Sequence, residues 1–295
     1  MTDHQEIRVP VDGGELAVLR WPATRPDAPV VLALHGVTAN ALSWGRVADE
    51  LAGRATLLAP DLRGRAGSGA VAGQTGIGVH ADDVAALATA LRLPAVVLTG
   101  HSMGAFVAAT AAVRHPQLVD RLLLVDGGVG FPRPAGVELD DLITVVIGPA
   151  MTRLSMTFPD RAAYRAFWQR HPAFATDWSD WAEAYIQRDL TGTEPELRST
   201  CRLDAVRADS IDLFDSEEVL GAVHRLPCPA QLLWAERGLM DEAQGLYDPE
   251  RLAAAALDPD RLGVELVPDT NHYSILIGER GARTVADRLL AAAAR

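Results

Sequence analysis

Val96-Val97-Leu98-Thr99-Gly100-His101-Ser102-Met103-Gly104-Ala105 runs from an apolar strand through Gly-x-Ser-x-Gly and straight into an alanine-rich helix. Few backbones accept such a junction. A sharp strand-to-helix turn holds its serine in strained angles with neighbours pressed close, and glycine at Gly100 and Gly104 leaves room where a Cβ would collide. Ser102 is expected to stand exposed above a sheet. The helix behind it aims N–H groups and the positive end of its dipole at any anion that forms on an attacked carbonyl.

The surrounding chain supplies such a sheet. Short, largely apolar runs recur at Val30 to Leu34, Thr56 to Ala59, Val96 to Leu98, Leu122 to Val125, Leu232 to Trp234 and Val264 to Val267. Such runs suit strands buried on both faces of a parallel sheet. Helical patterns alternate with them at His80 to Leu91, Met103 to His115, Leu252 to Leu257 and Ala282 to Ala293. The alternation predicts a doubly wound, mostly parallel α/β sheet. Ahead of it, Asp12-Gly13-Gly14 between two apolar segments predicts an antiparallel hairpin at one sheet edge. Between Phe131 and Leu226 the alternation stops, prolines enter, and helical periodicity continues with many aromatics and no strand signal. An inserted helical cap at 131–226 is expected, carried by a core domain of 1–130 and 227–295.

Composition narrows the chemistry. All 27 basic residues are arginine, so Schiff-base lysines, a Walker lysine and a serine–lysine dyad are excluded. A net charge of −12 disfavours nucleic acid and anionic membranes as partners. Cys201 and Cys228 stand far apart with no metal spacing. With a polar N-terminus and no apolar stretch long enough for a membrane span, they point to a cytoplasmic protein. No cofactor and no metal are expected; the partner is a small-molecule substrate, and nothing excludes a homodimer.

Serine is a poor nucleophile until a positioned base takes its proton. His272 is the best base, because it follows the strand Val264 to Val267 in a loop at the carboxyl end of the sheet, where open α/β folds bind ligands. The other histidines lie in the tail, in helices or in the cap region. His101 is read as the variable position of the turn, and His35 as a residue that orders the neighbouring loop.

Leu34-His35-Gly36-Val37, Pro60-Asp61-Leu62-Arg63-Gly64, Gly100-His101-Ser102-Met103-Gly104 and Asn271-His272, in this order, resemble the α/β-hydrolase family over most of the chain outside the cap. The resemblance implies that the N–H groups of Val37 and Met103 form an oxyanion hole. It also implies an acid after the strand Gln231 to Trp234, but Ala235-Glu236-Arg237-Gly238 puts glycine there. Asp126, at the tip of Leu122 to Val125, occupies a position resembling that of haloalkane dehalogenases and some lactone hydrolases of this fold. Asp241 and Glu236 remain alternatives.

Serine rather than aspartate at position 102 argues against dehalogenase and epoxide hydrolase chemistry, which needs a carboxylate nucleophile. Ester or lactone hydrolysis is expected, on an apolar or aromatic substrate such as the macrocyclic lactone zearalenone, with Trp168, Trp178, Trp181, Tyr185 and Tyr273 lining the pocket. The rival readings are a carbon–carbon bond hydrolase or lyase, with Arg153, Arg165 or Arg188 holding a substrate carboxylate, and a non-catalytic small-molecule receptor.

Overall fold

A computed structural model describes residues 1–130, 136–139, 141, 143 and 152–294. Phe131, Pro132 and Pro134, where the alternation breaks in the sequence, lie outside the described residues. Asp12 and Gly13 turn β1 (Gln5–Val11) back onto β2 (Gly14–Trp21), antiparallel and in register from Val11 opposite Gly14. β3 (Val30–Leu34), β4 (Thr56–Pro60), β5 (Val96–His101) and β6 (Val119–Val125) follow, with β9 (Ala230–Arg237) and β10 (Leu262–Asn271) late in the chain. The eight strands lie in the order β1-β2-β4-β3-β5-β6-β9-β10. β2 meets β4 antiparallel, and every later pairing is parallel.

Alternate residues of each central strand feed opposite faces, which is why these runs are largely apolar. Val31, Ala33, Leu57, Ala59, Leu123 and Val125 belong to one buried cluster, which also takes in α1 (Gly45–Leu51) and the C-terminal helix (Glu279–Ala293). Leu32, Leu34, Leu58, Leu122 and Leu124 belong to the other, with α2 (Ile77–Ala90) and α3 (Met103–Arg114). Helices on both faces make the sheet doubly wound.

The segment between β6 and β9 contributes α4 (Arg161–Gln169), α5 (Asp180–Arg188), α6 (Leu203–Asp215) and a short α7 (Glu217–Leu220). Its aromatics Phe158, Tyr164, Trp168, Phe174, Trp181 and Tyr185 join the first of these clusters. One expectation fails here. The segment is not free of strands: β7 (Leu190–Thr191) pairs antiparallel with β8 (Arg198–Ser199), and an isolated bridge joins Phe158 to Leu197. Two-residue strands are too short for a period-2 pattern to register, so nothing in the sequence announces them. After β9 come α8 (Pro249–Ala254), α9 (Ser274–Ile277) and α10, the C-terminal helix.

Candidate active site

β5 ends at His101 and α3 begins at Met103, so Ser102 alone makes the turn, with φ 55° and ψ −123°. Its N–H donates to Val125 O at 2.9 Å, which stitches the turn to the end of β6. A Cβ on Gly104 would lie 2.3 Å from Leu34 O, and one on Gly100 would lie 2.0 Å from Gly104 O. Both glycines are therefore required for strand, turn and helix to pack this closely.

Asp126 is the first residue beyond β6 and is fully buried. Its N–H donates to Leu233 O at 2.7 Å, and its Oδ1 accepts from Ala235 N at 3.0 Å, so β9 grips it from two sides. The other oxygen, Oδ2, accepts from Nδ1 of His272 at 2.7 Å. With the proton on Nδ1 and donated to the carboxylate, the lone pair of the imidazole is on Nε2, the arrangement a general base requires.

The two alternative acids are engaged elsewhere. Asp241 accepts from Arg237 Nε at 2.7 Å and from Asn271 Nδ2 at 2.9 Å, while Glu236 accepts from the N–H of Asp269 at 2.7 Å. Gly238 lies beside His272, its carbonyl receiving the His272 N–H at 3.5 Å. A Cβ there would meet Glu242 Oε2 at 2.3 Å and Gln244 O at 2.8 Å.

Two further histidines frame the site. His35 donates from Nδ1 to Gly36 O at 2.8 Å and accepts the Leu62 N–H on Nε2 at 2.9 Å. That pair of bonds needs the neutral ring, and burial lowers its pKa to about 3. Because Gly36 C=O and Val37 N–H share one peptide plane, the His35 bond sets the direction of the Val37 N–H. His101, read in the sequence as a variable position, donates from Nε2 to the backbone carbonyl of His272 at 2.8 Å, with the two rings 4.6 Å apart. Burial first, and His272 second, push its pKa well below the usual imidazole range. The contact spans 171 positions, and a single sequence carries no signal for it.

Beside His272, Trp168 packs on Phe174 (4.9 Å between centroids), Tyr273 (6.3 Å) and Tyr185 (6.4 Å), and Tyr273 meets His272 edge-on at 5.6 Å. Trp178 joins this group through Phe174 at 6.3 Å. Trp181 does not reach the group directly. It packs on Trp21 and His4, and its Nε1 donates to Asp49 of α1. An open apolar furrow of about 460 Å³ between α8 and β10, lined by Trp234, Leu252, Leu262 and Val264, touches none of Ser102, Asp126 and His272.

A model of the α/β hydrolase fold matches residues 29–279. The chain belongs to the α/β-hydrolase family. This hydrolase is 30% identical to N-formylmaleamate deformylase of Pseudomonas putida over 252 residues, 82% of this chain and 81% of the relative. Uncharacterized proteins of Mycobacterium tuberculosis and Mycobacterium bovis are 38% identical over 102 residues, a match that spans 35% of this chain and only 30% of theirs. Among solved structures, an E-2-(acetamidomethylene)succinate hydrolase superposes with a TM-score of 0.78 at 23% identity, over 98% of this chain and all of the other, a likeness of fold. Among the described residues of this hydrolase, no helix is long and apolar enough to cross a membrane.

Proposed function

We propose that this hydrolase cleaves a carboxylic ester or lactone through an acyl-enzyme on Ser102. The observation that carries the reading is the buried Asp126–His272 bond of 2.7 Å in a fold whose nucleophile turn holds Ser102 at φ 55°. Ser102 Oγ attacks the carbonyl carbon as its proton passes to Nε2 of His272, and Asp126 stabilises the imidazolium. The alkoxide that forms on the carbonyl oxygen is held by the N–H groups of Val37 and Met103, worth about 3–4 kcal/mol per donor in a preorganised site. Collapse expels the alcohol, which takes the proton from His272. Water then adds to the acyl carbon, giving its proton to His272, and the acid leaves as Ser102 recovers its hydrogen.

The reading includes a core of 1–130 and 227–295, a cap of 131–226 and a cytoplasmic location, in keeping with two buried, unpaired cysteines. Trp168, Tyr185 and Tyr273, with Trp178 at the margin, favour an apolar or aromatic acyl or alcohol group, a macrocyclic aryl lactone such as zearalenone among them. The likeness to a deformylase supports a second reading, in which the carbonyl belongs to an N-acyl amide. Carbon–carbon bond cleavage is less favoured. The arginines available for a substrate carboxylate already face carboxylates of the chain: Arg153 faces Asp189, Arg165 faces Glu183, and Arg188 faces Asp61 and Glu6.

The deciding experiment measures turnover of p-nitrophenyl esters, lactones including zearalenone, N-formyl and N-acetyl amides, and β-diketones by the wild type and by Ser102→Ala. Ester or lactone turnover that Ser102→Ala abolishes bears the reading out. Turnover confined to amides favours the second reading, and activity surviving in Ser102→Ala removes the serine mechanism.

A further inference from the structure

We infer that Arg65 and Asp209 form a positioning pair that fixes the oxyanion donors and makes their geometry depend on the docking of α6. The inference rests on the serine-hydrolase reading above. Arg65 follows β4 in the core, Asp209 lies on α6, and both side chains are fully buried. Through Nε at 3.0 Å and Nη2 at 2.9 Å the guanidinium donates twice to the carbonyl of Val37, and Nη2 comes within 3.9 Å of Met103 Sδ. One buried cation therefore touches both residues assigned to the oxyanion hole.

The backbone geometry makes the contact at Val37 more than packing. Val37 Cα joins two peptide planes. His35 holds the first, which carries the Val37 N–H, by its bond to Gly36 O, and Arg65 holds the second by the Val37 carbonyl. With both planes fixed, the N–H cannot swing away from the reacting carbonyl without breaking one clamp. An oxyanion donor is effective only when it is already aimed, because reorganisation at the moment of reaction removes its advantage.

A buried guanidinium persists only beside a counter-charge. Asp209 supplies it, in an ion pair with Nη2 of Arg65 and with its Oδ2 3.1 Å from Nε2 of His80 on α2. Burial alone would push the Asp209 carboxyl up, but the charges of His80 and Arg65 outweigh it and hold the carboxyl below its usual range. The same helix is fastened again one turn later, where Asp212 Oδ2 accepts the Ile77 N–H that opens α2. The counter-ion of the clamp is thus delivered by the inserted segment, and the clamp is complete only when α6 is seated.

The test compares wild type, Asp209→Asn and the paired replacement Arg65→Met/Asp209→Leu. The paired replacement removes both charges together, so that no uncompensated ion is left to prevent folding. Three quantities are read in folded protein: kcat, KM for a p-nitrophenyl ester, and affinity for a trifluoromethyl ketone that forms a tetrahedral adduct. The expected result is kcat and ketone affinity each lower by about 10- to 100-fold, with KM within about threefold, in both variants. A purely structural pair would lower the melting temperature and leave the ratio of ketone affinity to KM unmoved. Variants within about twofold of wild type in both kcat and ketone affinity overturn the inference. Fluorophosphonate labelling of Ser102 in the wild type separates the two claims. No labelling there brings down the serine reading and the pair with it, whereas labelling together with unchanged variants brings down the pair alone.

Discussion

The carboxylate of Asp126 is divided between two donors, the imidazole of His272 on Oδ2 and the backbone N–H of Ala235 on Oδ1. In Asp126→Asn the Ala235 N–H selects the amide oxygen for its own side and turns the NH₂ toward His272, which must then place its lone pair on Nδ1 and its proton on Nε2. That tautomer cannot act as a base toward Ser102. We expect kcat to fall by about 10²- to 10⁴-fold with the fold intact, and Asp241→Asn to cost about tenfold or less; steady-state kinetics on the two variants check both. Equal losses would undo the assignment. His35 and His101 contribute to acid stability. His35 has a folded-state pKa of about 3 against 6.5 for the free side chain, so between these values the unfolded chain binds the extra proton. Stability contributed by the neutral ring is therefore fully present above about pH 6.5 and is lost as pH falls toward about 3, with His101 adding to the same slope. Urea midpoints should decrease steadily over that interval, and His35→Asn should flatten the decrease while lowering stability at pH 7. The turn that carries Ser102 and the strand end that carries His272 were legible in the sequence because such a turn has a local spelling and a loop after an apolar strand is a readable place. His101 and Arg65 were not, because what each of them holds is a backbone carbonyl, and carbonyls look alike in every residue.

Among the elements, β5 and β6 could be read because burial on both faces leaves apolar runs, while β10, expected to be buried likewise, lies at the sheet edge with Val264 and Leu266 exposed; the hairpin could be read because Asp12-Gly13 is a turn in its own right. The β7–β8 ribbon could not. The aromatic residues of the inserted segment illustrate a second limit: sequence shows that a tryptophan is large and apolar, and only packing shows against what. Trp168 sits under the Arg153 guanidinium, 5.1 Å from its ring centroid, and against Tyr273, whereas Trp181 is bolted to α1 through Asp49. Trp168→Ala is expected to shift kcat/KM between naphthyl and acetate esters by about tenfold or more. Trp181→Phe should leave that ratio unchanged and lower stability by about 1–2 kcal/mol through the lost Nε1–H bond and its packing. Paired kinetics and thermal melts on each variant discriminate the two roles, and a change of ratio in Trp181→Phe would refute the division.

For the whole molecule, core and inserted segment are joined by charges buried in pairs: Arg188 of α5 on Asp61 after β4, and Asp209 of α6 on Arg65. Neither half can leave without exposing or stranding an ion, so unfolding is expected to be a single transition, with far-UV and near-UV signals coincident. Asp61→Asn leaves Arg188 with Glu6 as its carboxylate partner and should lower stability by about 1–3 kcal/mol in urea melts. Two non-coincident transitions would show instead that the inserted segment melts on its own. The crowding around Gly238 bears on where the acid can stand. The sheet offers two strand ends from which a carboxylate could serve the same imidazole, the tip of β6 and the turn after β9, and in this chain the second is shut. An aspartate at 238 would strike the Glu242 side chain and the Gln244 backbone, and giving up Asp126 removes the carboxylate that Nδ1 of His272 meets. A move of the carboxylate from the tip of β6 to position 238 therefore needs the neighbours Glu242 and Gln244 to give way as well, so the two positions do not interchange by one replacement.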